Sequence, residues 1–485
     1  MASPSAKDVE HFEADDDDIF MPDDLRPALP VVSGKPVASP PPSAGRGRRL
    51  SSLGSLHHAG HSSWLTAAGH LVTAIIGAGV LGLPNAVAWL GWIAGPICLT
   101  VFFVTTLWTA TMLCDCYHVK GKRHTRYKWA VLHIMGPRHA VLLALCQNLN
   151  MILTTVGYHI AAADSMRYIA RLSCQLQGLP SSSCVLVSQW QHTLVFGAVQ
   201  MLMSMLPNLE SVWWSSIVGA LMSLGYSGIA IGLGASQAGN GQGTLLGRPA
   251  PPVEKAFGVC NALGCIGFAY SCAIVLVEVQ DTLREPPRAA VSMRKSIRVG
   301  LSTTFTCYAL VSVLGYLALG NSVPDNVLVG FHKSPAWVNI LANAMVLVHM
   351  VSAYQVYAQP VFQTIEDALL LAAPTLKFAP PRKEFAVRLV YRTAYVAVGT
   401  LLACLLPFFS AFTGLVGAVT FAPTAVIYPI LMYMRVASPG PHQRCLMWVV
   451  LSVMSAVAVV ATAGSIESII ATAGSFKLFS TPEAA

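Results

Sequence analysis

The sequence TAAGHLVTAIIGAGVLGLPNAVAWLG, residues Thr66–Gly91, is apolar for long enough to cross a bilayer, yet it contains four helix-weakening residues: Gly77, Gly79, Gly82 and Pro84. Glycine and proline loosen the i→i−4 hydrogen-bond ladder, so backbone N–H and C=O groups come free at membrane depth. Free backbone groups are tolerated there only where protein or a polar cavity surrounds them, as in the substrate sites of secondary transporters. Close helix packing through small residues is the alternative interpretation, and this stretch alone favours neither.

The composition indicates a polytopic membrane protein. Of 485 residues, 54% are apolar and only 11% are charged, whereas about 25% of an average soluble domain is charged. The net charge of +8 is therefore assigned to basic cytoplasmic loops, and we expect no nucleic-acid partner. The chain contains neither a GxSxG nucleophile motif nor a CxxC pair, and we expect no enzyme activity, no metal site and no cofactor.

Residues 1–62 are expected to form a disordered, cytoplasmic N-terminal tail. An acidic block at Asp15–Asp18 and several prolines between Pro36 and Pro42 leave too little apolar surface to offset the entropy of ordering. The tail has no apolar run, so we expect no cleavable signal peptide. The sequence RRLS, which ends at Ser51, resembles a basophilic kinase site, and a basic stripe beside the membrane is the alternative interpretation.

Eleven apolar segments follow the tail, and each is about as long as the roughly 20 residues that cross a hydrocarbon core. They lie near residues 66–89, 92–114, 140–164, 190–206, 212–235, 257–279, 299–319, 336–358, 390–409, 412–434 and 446–470. Together they define a transmembrane domain over residues 63–475, and residues 476–485 form a short C-terminal tail.

The placement of lysine and arginine predicts the orientation. With the N-terminus in the cytoplasm, only six of the 30 basic residues lie in outer segments. The opposite orientation would violate the positive-inside rule at every long loop. Because eleven is odd, the C-terminal tail is expected to be extracellular, and the plasma membrane is the expected location.

Cys174 and Cys184 are predicted to form a disulfide. They share the outer loop after the third segment, and they are the one pair of cysteines that shares an outer loop. An oxidising exterior favours a bridge between them. Two free surface thiols are the alternative.

The sixth segment contains a second interruption. Gly264 and Gly267 precede Phe268–Ser271, a polar aromatic patch in the apolar run ALGCIGFAYSCAIVLVEVQD that extends over Ala262–Asp281. If segments 1–5 and 6–10 are repeats, the two interrupted helices correspond, and the odd number of helices per repeat inverts the second one. At each break, the following half-helix offers unpaired N–H groups that suit a carboxylate, and the preceding half-helix offers carbonyls that suit an ammonium group. The pattern therefore favours a site for a zwitterion.

Spaced motifs extend along most of the chain, from about residue 64 to residue 470. They are His70–Leu81, Trp89–Pro96, Asp115–Tyr117, Gly121–Arg123, Gly157–Tyr158, Ala161–Ala162, Trp213–Ser215, Ile217–Val218, Gly225–Ser227, Phe268–Ser271, Ile274–Leu283, Ala353–Pro360 and Leu405–Phe409. In this order they resemble the plant-type amino acid permeases of the amino acid/auxin permease family. The resemblance implies an all-α, LeuT-like membrane fold of 5+5 inverted repeats with helices 1 and 6 broken, and proton-coupled uptake of amino acids.

By this resemblance, the two breaks form the substrate site. The first break would bind the substrate carboxylate through Ile76, Gly77, Ala78 and Gly79. The second break would bind the α-amino group and face the substrate side chain through Phe268, Ala269, Tyr270 and Ser271.

Three further positions bear on the substrate. One of two polar residues in the third segment, Asn148 and Asn150, is expected to line the cavity, and we assign this role to Asn148. Interhelical hydrogen bonding is the alternative for both. Cys265 stands where the family commonly has an acidic residue, so the preferred charge of the substrate is left open.

Ionisable side chains inside a membrane are costly and therefore suggest function. The candidates for proton coupling inside the membrane are His70, His159, Glu278 and His349. Of these, His349, His70 and Glu278 are preferred, and His349 ranks first because it lies in the middle of the eighth segment and histidine titrates near pH 6.5. A structural ion pair with Arg284 is the alternative for Glu278. Sodium is the competing ion, but it needs a cage of oxygen ligands that Ser352 alone does not establish.

The resemblance thus implies a proton-coupled amino acid symporter, driven by the proton gradient and working by alternating access. Its expected partners are an amino acid, a proton and the lipid bilayer. A carrier of auxin-like indole carboxylates and an amino acid-sensing receptor with a transporter fold are the alternatives. A channel would show filter motifs or a ladder of charges, and the sequence shows neither.

Overall fold

The structure, a computed structural model, is predominantly α-helical in the part of the chain that it describes, and it contains one short β-hairpin. The described residues are 62–119, 121–178, 188–205, 213–375 and 380–475. In the hairpin, strand β1 (His118–Val119) pairs in antiparallel fashion with β2 (Lys122–Arg123).

The α-helices follow one another along the chain with short connections. They are α1 (Trp64–Ile75), α2 (Gly79–Asp115), α3 (Tyr127–Met135), α4 (Pro137–Leu176), α5 (Gln189–Ser204), α6 (Trp213–Ser236), α7 (Pro252–Ala269), α8 (Ala273–Asp281), α9 (Ala289–Leu319), α10 (Ala336–Ala372), α11 (Pro381–Leu405), α12 (Phe409–Phe421), α13 (Tyr428–Val436) and α14 (Pro441–Ser475). Two 3₁₀ turns lie at Gly320–Ser322 and Val327–Gly330, and a π-helical turn at Ala422–Ile427 joins α12 to α13.

Each of the eleven predicted segments falls on helix, although the helix ends differ from the segment ends. Segment 1 is α1 with the start of α2, segment 2 is the rest of α2, and segment 6 is α7 with α8. Within the described residues, nine helical stretches are long and apolar enough to cross a membrane. The all-α polytopic membrane fold is thus confirmed, with interruptions in segments 1 and 6, while its LeuT-like type stays what the resemblance implies.

The helix α7 lies at the centre of the bundle, where it packs against α2, α12 and α14. Its contact with α12 is close because Gly264 and Gly417 lack side chains. A Cβ built on Gly417 would overlap the carbonyl oxygen of Gly264, and a Cβ on Gly264 would overlap the backbone of Gly414. Gly264 therefore serves helix packing, and the break in segment 6 lies after Gly267.

A further kink interrupts α2 at Gly91, where the sequence placed only a boundary between two segments. Its φ of 82° with ψ of −179° lies in a region that is accessible almost only to glycine. The loop between α6 and α7 fills this kink. The carbonyls of Thr244 and Leu245 accept hydrogen bonds from the N–H groups of the two residues after Gly91, Trp92 and Ile93. The Arg248 N–H donates to the carbonyl of Ala88 at 2.7 Å.

Several predictions concern residues outside the described ranges. Ser51, Cys184, the C-terminal tail and the N-terminal tail up to residue 61 are among them. Cys174 is disulfide-bonded, while its pairing with Cys184 stays a prediction. Ser62 is described and forms a parallel β-bridge with Leu283, the second residue beyond α8.

The kink at Gly91 generates a stability prediction. We expect Gly91→Ala to destabilise the protein by about 1–3 kcal/mol or more, because a Cβ would strain the backbone and overlap residues 245–247. Thermal unfolding of the detergent-solubilised protein measures the effect. Gly228→Ala on α6 is the matched control, because a Cβ there meets nothing within 4 Å. A Gly91→Ala protein that melts with the control would show that the kink tolerates a side chain.

Candidate substrate site

The first break leaves backbone donors unpaired at the start of α2. The helix α1 ends with the bond from the Ile76 N–H to the Val72 carbonyl, at 2.9 Å. Within the described residues, the N–H groups of Gly77, Ala78 and Gly79 make no hydrogen bond. These three consecutive donors lie at the N-terminus of a long helix, where the helix dipole is positive. The arrangement can bind an anion such as a carboxylate without any basic side chain.

The second break separates α7 from α8 by three residues, 270–272. The Ser271 hydroxyl turns back and donates to the Gly267 carbonyl at 2.9 Å. The Tyr270 hydroxyl is buried and has no hydrogen-bond partner among the described residues. The chain therefore turns tightly here and places the carbonyl end of α7 inside the protein.

The two breaks lie against each other. A Cβ built on Gly79 would stand 2.9 Å from the Cα of Ala269, which is closer than Cβ contacts in proteins. Glycine at this position therefore allows the start of α2 to approach the end of α7. Close packing through small residues is thus confirmed for Gly79. Its N–H is also one of the three donors without a partner among the described residues, and the substrate site stays a prediction.

A tyrosine that the sequence analysis did not select joins the two breaks. Tyr308 of α9 is fully buried. Its hydroxyl lies 2.6 Å from the carbonyl oxygen of Ile75 and 3.1 Å from that of Ala269. These are the last residues of α1 and α7, so one hydroxyl serves the ends of both half-helices.

A small cavity of about 30 Å³ lies at the junction of the breaks. Uncharged side chains line it from α4, α7 and α10, and they include Asn150, Thr154, Tyr158, Phe268 and Tyr357. The first break contributes Gly77, Ala78 and Gly79, and the second contributes Ala269 and Ser271. The cavity thus joins most of the predicted site residues. Ile76 and Tyr270, although part of the breaks, do not line it.

Asn150, and not Asn148, lines this cavity. Asn148 donates to the Ala144 carbonyl of its own helix at 2.8 Å. Asn150 is buried and donates to the Thr420 hydroxyl of α12 at 2.7 Å. Two positions along an α-helix differ by about 200° in direction, so only one of these residues faces the breaks.

A larger cavity of about 380 Å³ extends from the first break to the far end of α8. Three of the four proton candidates, His70, His349 and Glu278, line it, and His159 does not. The walls come from α1, α8, α6 and α10. The structure therefore brings these side chains into one space that leads away from the breaks.

His349 lies directly beside the first break. Its Nδ1 is 2.8 Å from the Gly219 carbonyl oxygen of α6, and a carbonyl only accepts, so Nδ1 carries a proton. In the neutral ring, Nε2 is then an acceptor. A Cβ built on Gly77 would be 3.4 Å from this Nε2. The imidazole thus presents its free nitrogen to the backbone of the substrate site.

Glu278 and Cys265 have surroundings that the sequence did not predict. Within the described residues, Glu278 makes no ion pair, and Arg126 rather than Arg284 is the basic residue whose charge acts on its carboxylate. It is exposed to the large cavity.

Cys265 faces α12, where its Sγ lies 3.2 Å from the Ser410 carbonyl oxygen. Cys265 therefore acts in helix packing and lines neither cavity.

The contact between the breaks generates a prediction about Gly79. We expect Gly79→Ala to reduce uptake of the predicted amino acid substrate by about tenfold or more, because the new Cβ forces α2 away from Ala269. Gly82→Ala, one turn further along α2, is the matched control, since its Cβ would make only ordinary contacts at 3.7 Å. Radiolabelled uptake, normalised to surface biotinylation, measures both variants. Uptake by Gly79→Ala equal to that of Gly82→Ala would contradict the close approach.

Known proteins resemble this chain over most of its length. Residues 60–469 match the family model described as "Transmembrane amino acid transporter protein". The chain is similar to Amino acid permease 2 of Arabidopsis thaliana, with 37% identity over 85% of this chain and 89% of the relative. It is equally similar to Amino acid permease 4 and Amino acid permease 6 of the same plant, each 37% identical, over 86% and 87% of this chain and 94% and 93% of the relatives.

Among solved structures, an inward-facing conformation of Mhp1 covers 87% of this chain and 93% of its own, with a TM-score of 0.46 and 12% identity. These Arabidopsis relatives are named as permeases, that is, as transporters rather than enzymes. The protein belongs to the family of transmembrane amino acid transporter proteins.

Proposed function

We propose that this protein is a proton-coupled symporter that imports amino acids by alternating access. The observation that carries the proposal is the row of free N–H groups at Gly77–Gly79, placed against the carbonyl end of α7. A donor row beside helix carbonyl ends is complementary to the carboxylate and the ammonium of an amino acid. Backbone groups can thus bind both charged groups of the amino acid without a charged side chain.

The substrate would bind with its two charged groups at the two breaks. The carboxylate accepts hydrogen bonds from the N–H groups of Gly77–Gly79. The ammonium faces the carbonyl ends of α1 and α7, and the side chain lies against Tyr158, Phe268 and Tyr357. Since no charged side chain lines the small cavity, neutral side chains fit it best.

The proton would be carried at His349. Its Nε2 faces the first break, so a proton there places a positive charge beside the carboxylate site. Protonation and substrate binding then favour each other, which is the coupling that symport requires. His70 and Glu278 line the large cavity and would relay the proton towards its far end.

The position of the large cavity supports an inward-facing state. It ends near Glu278 and Thr282, on the side of the bundle that carries Arg123 and Arg284. By the positive-inside rule this side is cytoplasmic, with the N-terminus on it and the C-terminus outside. On the opposite side, the loop that fills the Gly91 kink closes over α2. The plasma membrane is the proposed location.

The proposal is tested by expression in oocytes with currents recorded at about pH 5.5 and about pH 7.5, with and without sodium, across a panel of amino acids. We expect inward currents with neutral amino acids that grow at the lower pH and do not need sodium. Currents that ignore pH but need sodium would overturn proton coupling. Transport of indole carboxylates alone, or no flux of any amino acid, would overturn the amino acid assignment.

The role of His349 generates its own prediction. We expect His349→Gln to keep amino acid exchange but to lose the increase of current at low pH, because glutamine can still bond to Gly219 but cannot take up a proton. His159→Gln is the matched control. His159 is fully buried, bonds to Thr155 and Thr400, and lines neither cavity. If the current of His349→Gln increases at low pH as much as that of the control, a residue other than His349 carries the coupled proton.

A further inference from the structure

The hydroxyl of Tyr308 occupies the point where the C-terminal ends of two half-helices converge. Ile75 ends α1 and Ala269 ends α7, and both carbonyl oxygens lie within hydrogen-bond distance of this one oxygen, at 2.6 and 3.1 Å. A hydroxyl has a single proton. It can therefore satisfy one carbonyl fully, or share its proton weakly between the two.

Helix C-termini carry partial negative charge, because their last carbonyls have no partner within the helix. Two such ends that meet in a buried place need a donor or a positive charge between them. Carbonyl oxygens are also ligands that hard monovalent and divalent cations prefer. The convergence point is thus a place where a small cation would be held if no side chain filled it.

The surroundings of Tyr308 fix its ring but supply no opposite charge. Its ring packs edge-on against Tyr270, with centroids 5.5 Å apart. The titratable neighbours of the hydroxyl are Tyr226, Tyr270, Cys272 and Cys307, and none of these described groups is a carboxylate. The ring is held in place by packing, and the site offers dipoles rather than charges.

We propose that Tyr308 is a positioning residue that holds the two breaks at their working distance and takes the place of a monovalent cation. Its neutral donor stabilises the carbonyl ends of α1 and α7 in the absence of sodium. Substrate binding is then independent of sodium because the position is already filled. This inference rests on the proposed function and adds to it the reason why a sodium ion is not needed at the breaks.

Tyr308→Phe tests the proposal, because it keeps the ring and removes only the hydroxyl. We expect the apparent KM for the amino acid to rise about tenfold, with a smaller change in maximal rate, since the two breaks lose their shared donor. We also expect sodium chloride, compared with choline chloride at equal concentration, to lower this KM in the variant and to leave the wild-type KM unchanged.

Tyr316→Phe is the matched control on the same helix. The Tyr316 hydroxyl also serves backbone groups, at Thr244, but far from the breaks. Its loss removes a buried hydrogen bond of the same kind, so a merely structural effect would appear in both variants. We expect Tyr316→Phe to show the wild-type KM and no response to sodium.

Thermal unfolding of the purified protein provides a second readout that does not need transport. Sodium should raise the unfolding temperature of Tyr308→Phe and leave those of the wild type and Tyr316→Phe unchanged. A wild-type KM in Tyr308→Phe, or a raised KM and a lowered unfolding temperature that sodium does not restore, would overturn the inference. If the wild type carries no amino acid at all, the proposed function fails, while the unfolding experiment still decides the role of Tyr308.

Discussion

Three backbone N–H groups, those of Gly77–Gly79, lie inside a membrane protein without a hydrogen-bond acceptor in the part of the chain that the structure describes. Leaving one buried donor unsatisfied costs about 1–3 kcal/mol, so such a row persists only where a ligand or water completes it. The surrounding structure keeps the row open. Gly79 has no side chain that could cover these donors, and it packs directly against Ala269 of the second break. The Tyr308 hydroxyl bonds to the carbonyls of Ile75 and Ala269 and leaves the three N–H groups free.

The kink at Gly91 differs, because the protein itself supplies hydrogen-bond partners for the interrupted backbone there. It also interrupts the helical ladder of α2, yet a loop of the protein itself supplies acceptors from Thr244 and Leu245. The interruption at Gly77–Gly79 receives no such partner and faces a cavity instead. The two sites lie in one continuous run of apolar sequence. The two interruptions therefore differ in whether other groups of the protein form hydrogen bonds with the interrupted backbone.

Much of the fold and the two breaks could be predicted from the sequence, because apolar length and glycine placement are local signals. The correct member of the pair Asn148 and Asn150 could not, since both are polar residues in an apolar segment and their direction depends on how α4 is rotated. Tyr308 was missed because a tyrosine in an apolar helix is ordinary. Only the fold brings its hydroxyl to the ends of α1 and α7.

The glycines illustrate the same limit. Gly264 belongs to the interrupted segment by sequence, but its role is packing against α12, which depends on a glycine more than a hundred residues away. Glu278 is similar, because the positive charge that acts on it comes from Arg126 at the start of α3 rather than from Arg284, which lies nearer in sequence. Partners that lie far along the chain leave no trace in local composition or spacing.

A structure determined with a bound amino acid tests the central claim most directly. We expect the carboxylate oxygens to lie about 2.7–3.2 Å from the N–H groups of Gly77–Gly79, with the ammonium turned towards the carbonyl ends of α1 and α7. A substrate bound elsewhere, or one whose carboxylate pairs with a basic side chain while these three N–H groups stay without a partner, would contradict it.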